Sequence, residues 1–201
     1  MKRGLLTYIL IIAAFISARG TGMPEITFGA EWGYMPSLFY GHHYNFFDPD
    51  GFRVDDKDTS FGYFTNGEVT LHIGYNFNEY WNLSFHTGYS GAGSFTPVVP
   101  MSLRITRYWG DNHLSDRWLT FAECGSGISI KNRPQEIFTG KVGGGYRLSL
   151  SRFTKLDFIA AFRMLYTHPD IMHYGYEIDR IWTNRNDGHV GSLFFGLSLT
   201  F

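Results

Sequence analysis

The sequence is short of cysteine, of charge and of long apolar runs. Its one cysteine, Cys124, excludes an intramolecular disulfide, so stability must come from packing or from the backbone hydrogen-bond ladder. Charged residues make up 17% of the chain, against about 25% in ordinary soluble domains. There are 17 lysines and arginines against 18 acids, so no basic face for nucleic acid is expected. No second apolar run is long enough for a transmembrane helix, for which about 18 residues are needed. What the chain has instead is aromatics, at 18%, and 24 glycines. Repeated glycines argue against helices, because each costs about 1 kcal/mol relative to alanine. Two architectures remain: a soluble β-barrel or sandwich, and a membrane β-barrel.

The first twenty residues, MKRGLLTYILIIAAFISARG, have a targeting pattern. Lys2 and Arg3 precede an apolar run from Leu5 to Ile16, and small residues Ala18 and Gly20 stand at −3 and −1 for cleavage before Thr21. The run is too short to cross a bilayer comfortably. A secretory signal peptide over 1–20 and a single domain over 21–201 are therefore expected. No cysteine adjoins the cleavage point, which argues against a lipoprotein.

Period-2 alternation recurs along the rest of the chain and predicts strands. Ile26, Phe28, Ala30, Trp32 and Tyr34 share one face, against Thr27, Gly29, Glu31 and Gly33. The same pattern recurs around Val69–Phe77, Leu83–Tyr89, Val99–Ile105, Val142–Leu150 and Leu156–Phe162. It closes with Leu193, Phe195, Leu197, Leu199 and Phe201. WLTFAECGSGISI alternates less cleanly: a bulge near Gly125-Ser126-Gly127 could switch its faces, and Glu123 faces inward if the strand keeps its register. Eight strands result, a number at which a closed barrel is just filled by side chains. The connections alternate between long and short. Long polar stretches at 41–60 and 167–188 read as outer loops, and tight links such as Asn78-Glu79-Tyr80 and Ser151-Arg152-Phe153-Thr154 as periplasmic turns.

The face opposite the apolar one separates the two architectures. A soluble barrel would show water a face rich in Lys, Glu and Asp. Here that face is mostly Gly, Ser and Thr. Its scattered charges are Glu31, Glu68, Arg104, Glu123, Lys141, Arg147, Asp157 and Arg163, with His72 and His86 beside them. Four acids and four bases in a narrow lumen can neutralise one another, as buried charges require. Tyr80, Trp81, Tyr108, Trp109, Trp118, Phe153 and Phe201 fall at one end of the strands, where a membrane-interface belt is expected.

A signal peptide, about eight alternating strands and a terminal strand ending in Phe resemble the small bacterial outer-membrane β-barrels. Phrases such as VVPMSLRIT, GGGYRLSL and GLSLTF resemble barrels common in Bacteroidetes, many without an assigned activity. The resemblance implies an all-β, up-and-down transmembrane barrel in the outer membrane. It implies contact with outer-membrane lipid and lipopolysaccharide, a monomeric state, and export through the periplasm. It also implies that Leu193, Phe195, Leu197, Leu199 and Phe201 are read by the barrel-assembly machinery.

No catalytic constellation emerges. Lipid A deacylases resemble the chain in size and carry a His-x-Ser pair on the lipid-facing wall. Here FHTGYS has His86 followed by Thr87 and Gly88, and the alternation points His86 inward. His168, Asp170 and His173 match no established metal spacing. Asp48, Asp50, Asp55, Asp56 and Asp58 resemble half a calcium loop, but Gly51 is misplaced and no glutamate closes it. Cys124 reads as a packed small residue. No metal and no cofactor are expected. The leading expectation is a non-enzymatic barrel acting through its outer loops in surface contact, ligand binding or envelope integrity. A lipid A-modifying enzyme and a small pore are the alternatives.

Overall fold

In the computed structural model the described residues are 24–48, 51–61, 64–92, 96–110, 112–130 and 136–201. The 1–20 segment lies outside them. The strands are β1 (Ile26–Phe47), β2 (Arg53–Ser60), β3 (Thr65–Asn76), β4 (Trp81–Ala92), β5 (Thr96–Trp109), β6 (Arg117–Ser129), β7 (Glu136–Ser149), β8 (Lys155–Thr167), β9 (Met172–His173), β10 (Tyr176–Glu177) and β11 (Thr183–Thr200). Eight of them pair antiparallel in the cycle β1-β3-β4-β5-β6-β7-β8-β11, and β11 returns to β1. The seam runs from Gly29 opposite Thr200 to Phe46 opposite Thr183. At its lower end Phe28 and Phe201 exchange backbone hydrogen bonds of 3.1 and 2.8 Å and stack their rings. A closed ladder satisfies every strand edge within the span, which a bilayer demands.

The barrel is inverted relative to a soluble one. Its interior buries Glu31, Glu68, Arg104, Lys141 and Asp157, while Phe28, Trp32, Val69, Leu103 and Val142 stand outward and exposed. Water would penalise that wall, and hydrocarbon would not. The fold is an eight-stranded up-and-down transmembrane β-barrel.

Three expectations from the sequence are corrected here. The polar stretch 41–60 is not a loop: β1 continues to Phe47, turns, and returns as β2. The turn closes through Gly51, at φ +83°, whose N–H donates to Asp48 O at 2.8 Å. β2 and β3 lie end to end along the same flank of β1, β2 beside Tyr40–Phe47 and β3 beside Ile26–Pro36. Hydropathy could not reveal this hairpin, because no apolar face is needed above the membrane. Cross-strand polar pairs hold it instead, with His43 Nε2 at 3.0 Å from Asp55 and the Tyr44 hydroxyl donating to Asp56 at 2.9 Å.

Second, β6 keeps one register against β5 throughout, with no bulge at Gly125–Gly127. The glycine at 125 answers a close approach: a Cβ there would sit 2.3 Å from Met101 O. Glu123 therefore points inward, and Cys124 is exposed on the outer wall rather than packed. Third, Tyr108 is not an interface aromatic. It lies on the inward face of β5 and is buried.

The stretch 167–188 is partly ordered. It holds the β9–β10 hairpin and a 3-10 turn at Arg180–Trp182, whose preceding Asp179 side chain accepts from Ile181 N–H. The opposite end has tight turns. Asn78 Oδ1 accepts from the Tyr80 and Trp81 N–H groups, and Ser151 Oγ from those of Phe153 and Thr154.

Candidate functional site

Two regions concentrate chemistry: the lumen and the outer ridge. The lumen is built in layers because inward residues recur every second position on eight strands. At the periplasmic end the Tyr108 ring lies between two guanidinium groups, Arg117 at 4.1 Å and Arg147 at 4.3 Å. Arg147 grips Asp157 in a bidentate pair at 2.6 and 2.7 Å. Arg117 donates to Glu79 O at 2.5 Å, and Lys155 to Ser149 Oγ and Ser151 O at 2.6 and 2.9 Å. Arg117 and Lys155 were missed by the sequence reading. Both open their strands in the inward parity of Glu123 and Asp157, and extending the alternation by one pleat would have found them.

Above this layer His72 and His86 stack with ring centroids 4.9 Å apart. His86 Nε2 lies 2.9 Å from Ser84 Oγ, and His72 Nε2 lies 3.3 Å from Thr200 Oγ1. They border a cavity of about 30 Å³ shared with Arg104, Tyr108, Arg147 and Asp157. That is room for about one water molecule.

The third layer joins five charges. Arg104 donates to Glu31 at 2.5 and 2.7 Å and to Glu123 at 2.8 Å. Lys141 Nζ lies 2.5 Å from Glu68, 3.5 Å from Glu123 and 3.9 Å from Glu31. Ser102 and Ser90 donate to Glu123 and Glu68 at 2.8 and 3.1 Å. Aromatic faces complete the desolvation. Phe121 lies under Arg104 at 4.4 Å and Phe194 under Lys141 at 4.3 Å. Two bases thus share three carboxylates.

Arg163 stands apart and higher. It donates to Thr139 Oγ1 at 3.1 Å, Gly91 O at 3.3 Å and Met35 Sδ at 3.2 Å. Among the described residues no carboxylate lies within ion-pairing distance of it. Val98, Ile137, Leu165 and Val190 pack an apolar layer near the outer end, with Tyr40 against it. The lumen is therefore filled by side chains at every level described. A planar bilayer carrying the purified protein is expected to show no stepwise conductance. Steady channel steps would mean that these layers open.

The histidines expected to be inert in catalysis stand as follows. His86 is buried in the lumen, away from any lipid on the outer wall, and among the described residues its Nδ1 has no hydrogen-bond partner. A Ser84–His86 contact without a carboxylate behind it is no triad. His168 Nδ1 lies 2.5 Å from Asn186 O, while His173 packs on Phe46 at 5.1 Å. Among the described residues no three His, Cys, Asp or Glu side chains gather as a metal site.

The ridge is the second region. β1 has 22 residues, about twice the 9–11 a membrane-crossing strand needs. Its upper half, with β2 on one side and Thr183–Val190 of β11 on the other, forms a three-stranded sheet above the wall. Phe47, Phe52, Phe61, Tyr174, Tyr176, Ile181 and Trp182 are exposed on it and on the adjoining stretch before β11. Asp187 pairs with Arg185 at 2.6 Å and accepts from the Tyr166 hydroxyl at 2.5 Å, tying the ridge to β8.

No protein-family model and no curated protein matches the chain. Solved structures do. The outer membrane protein AlkL, determined by solid-state NMR in DMPC bilayers, aligns at TM-score 0.50 with 13% identity, over 92% of this chain and 94% of that one. The fold is that of a small outer-membrane β-barrel. Neisserial surface protein A is similar at TM-score 0.47 and 12% identity, over 90% of this chain and all of its own. OprG of Pseudomonas aeruginosa gives 0.46 and 12%, over 88% and 95%. At these identities the barrel architecture is what is shared.

Proposed function

We propose that this barrel resides in the bacterial outer membrane and acts there without catalysis, through its outer ridge. Segment 1–20 serves as the export signal. The terminal strand, Leu193, Phe195, Leu197, Leu199 and Phe201, serves as the assembly signal. The lumen cluster of Glu31, Glu68, His72, His86, Arg104, Glu123, Lys141, Arg147, Asp157 and Arg163 is structural and holds the barrel closed. The observation that carries the reading is the ridge itself. A β-hairpin continuing well beyond the membrane span presents Phe52 to solvent, and the adjoining stretch before β11 presents Tyr174, Ile181 and Trp182. An exposed apolar patch at that height is covered by no acyl chain and is a contact surface for a partner or a substratum.

Trimming the ridge tests this. Residues 44–56 replaced by a two-residue Asn-Gly turn, which joins the paired residues His43 and Lys57, shorten the hairpin while leaving the membrane-crossing strands intact. Cells carrying this variant are expected to lose adherence to coated surfaces or to gain detergent sensitivity. The variant should still migrate as a folded barrel before boiling. Wild-type behaviour in both assays with a folded barrel would overturn the proposal.

A further inference from the structure

On the outward faces of β3, β4, β5, β6 and β8, among the described residues, one side chain is charged: Arg107. It stands near the periplasmic end of β5, opposite Trp81 on β4 and Thr120 on β6. Its guanidinium lies over two indoles, 4.2 Å from the Trp109 ring and 5.3 Å from that of Trp81. Trp109 is itself held, its Nε1–H donating to Thr120 Oγ1 at 3.0 Å. Among the described residues no carboxylate pairs with Arg107. An unpaired cation on a lipid-facing wall is tolerated close to the interface, where anionic headgroups can meet it.

Higher on the same wall is a groove of about 770 Å³. Its floor is Cys124, Ser126 and Gly140, where β6 and β7 present small residues outward. Its sides are Phe85, Met101, Leu103, Phe138 and Met164. Arg107, Ile105 and Leu103 are successive outward residues of β5, so the groove begins about 13 Å up the strand from Arg107, at about 3.3 Å per residue. Half a hydrocarbon core is about 15 Å deep. One acyl chain leaving a headgroup at Arg107 therefore reaches the groove.

We propose that this wall holds one glycerophospholipid of the periplasm-facing leaflet. Its phosphate pairs with Arg107 between Trp81 and Trp109, and one acyl chain lies in the groove over Cys124 and Gly140. The charge selects a phosphate headgroup, and the small residues make room for the chain. The inference rests on the barrel being membrane-embedded, as proposed above.

The test is native mass spectrometry of the intact protein, extracted from vesicles of phosphatidylethanolamine and phosphatidylglycerol in a mild detergent. One retained phospholipid per barrel is expected, saturating as lipid is raised. Arg107→Ala should abolish retention, and Arg107→Lys should keep part of it. Gly140→Leu should fill the groove and also abolish retention while leaving Arg107 in place. A Cβ at Gly140 has its nearest contact at 3.9 Å, so a side chain there leaves the backbone without a clash. Trp32→Ala, at an exposed position of β1 away from the groove, should retain the lipid as wild type does. Gel mobility before and after boiling shows separately whether each variant is an embedded barrel.

Retention unchanged in both Arg107→Ala and Gly140→Leu would overturn the proposal. So would adducts that rise without saturating, which would mark ordinary annular lipid. A third overturning result is built into the chain. If a second copy covers the groove, mild oxidation in membranes will give a dimer linked through Cys124, the sole cysteine.

Discussion

Arg104→Ala is expected to destabilise the barrel by about 3–5 kcal/mol, the cost of breaking a buried pair and leaving its partners charged. The truncation strands Glu31 and Glu123, both buried, with Lys141 alone to serve three carboxylates. Urea midpoints of the protein folded into vesicles, followed by tryptophan fluorescence, measure the loss. A companion variant separates burial of charge from loss of packing. Arg104→Met with Glu31→Leu and Glu123→Leu removes all three charges and leaves Lys141 paired with Glu68 at 2.5 Å. Volume-matched apolar replacements of a buried ionic set are often neutral or stabilising. The triple variant should therefore stand well above the single one. A single variant within about 0.5 kcal/mol of wild type, the range of an ordinary surface substitution, would mean that water reaches the cluster.

Phe194→Ala is expected to cost about 3–5 kcal/mol, as a large-to-small change at a filled site does. Phe194 is fully buried, the bulky exception on the inward face of β11. It fits because its neighbours have no side chain. A Cβ at Gly33 would lie 2.3 Å from its ring, and one at Gly196 would lie 2.6 Å from it. Gly33→Ala in the wild-type background should therefore overpack the lumen, at about 1–3 kcal/mol. In the Phe194→Ala background the same change meets space, and its cost should fall. The two substitutions are in contact, so a double-mutant cycle reads a coupling of about 0.5–3 kcal/mol. Strict additivity would show that Gly33 is required for its backbone and not for the ring it accommodates.

The glycines and the charges illustrate how far the sequence could be read. Alternation placed Glu31, Arg104, Glu123, Lys141 and Asp157 on the inward face, because in a strand the side of a residue follows from its parity alone. It could not say which of them meet. Glu31 on β1 and Arg104 on β5 are 73 residues apart and lie on strands that do not pair with each other. Their contact is made across the lumen by barrel closure. Tyr108 was misplaced for a related reason. Near a strand end a tyrosine suits either the interface or the lumen, and only the flanking Arg117 and Arg147 decide. Arg163, counted as one of four balancing bases, is carried instead by neutral oxygens and a thioether.

The sequence by itself determined the architecture. Eight alternating strands, an oily outward stripe and a small, polar inward one leave a lipid-embedded barrel as the consistent arrangement, since period 2 and solvent polarity are local properties. Tertiary structure decided everything that depends on closure. That includes which lumen charges pair, how Phe194 fills the space left by Gly33, and where Arg107 stands relative to the groove. It also decided the ridge. Residues 41–60 carry no hydropathy signal because water lies on both sides of them, and their strands exist through pairing with the upper half of β1.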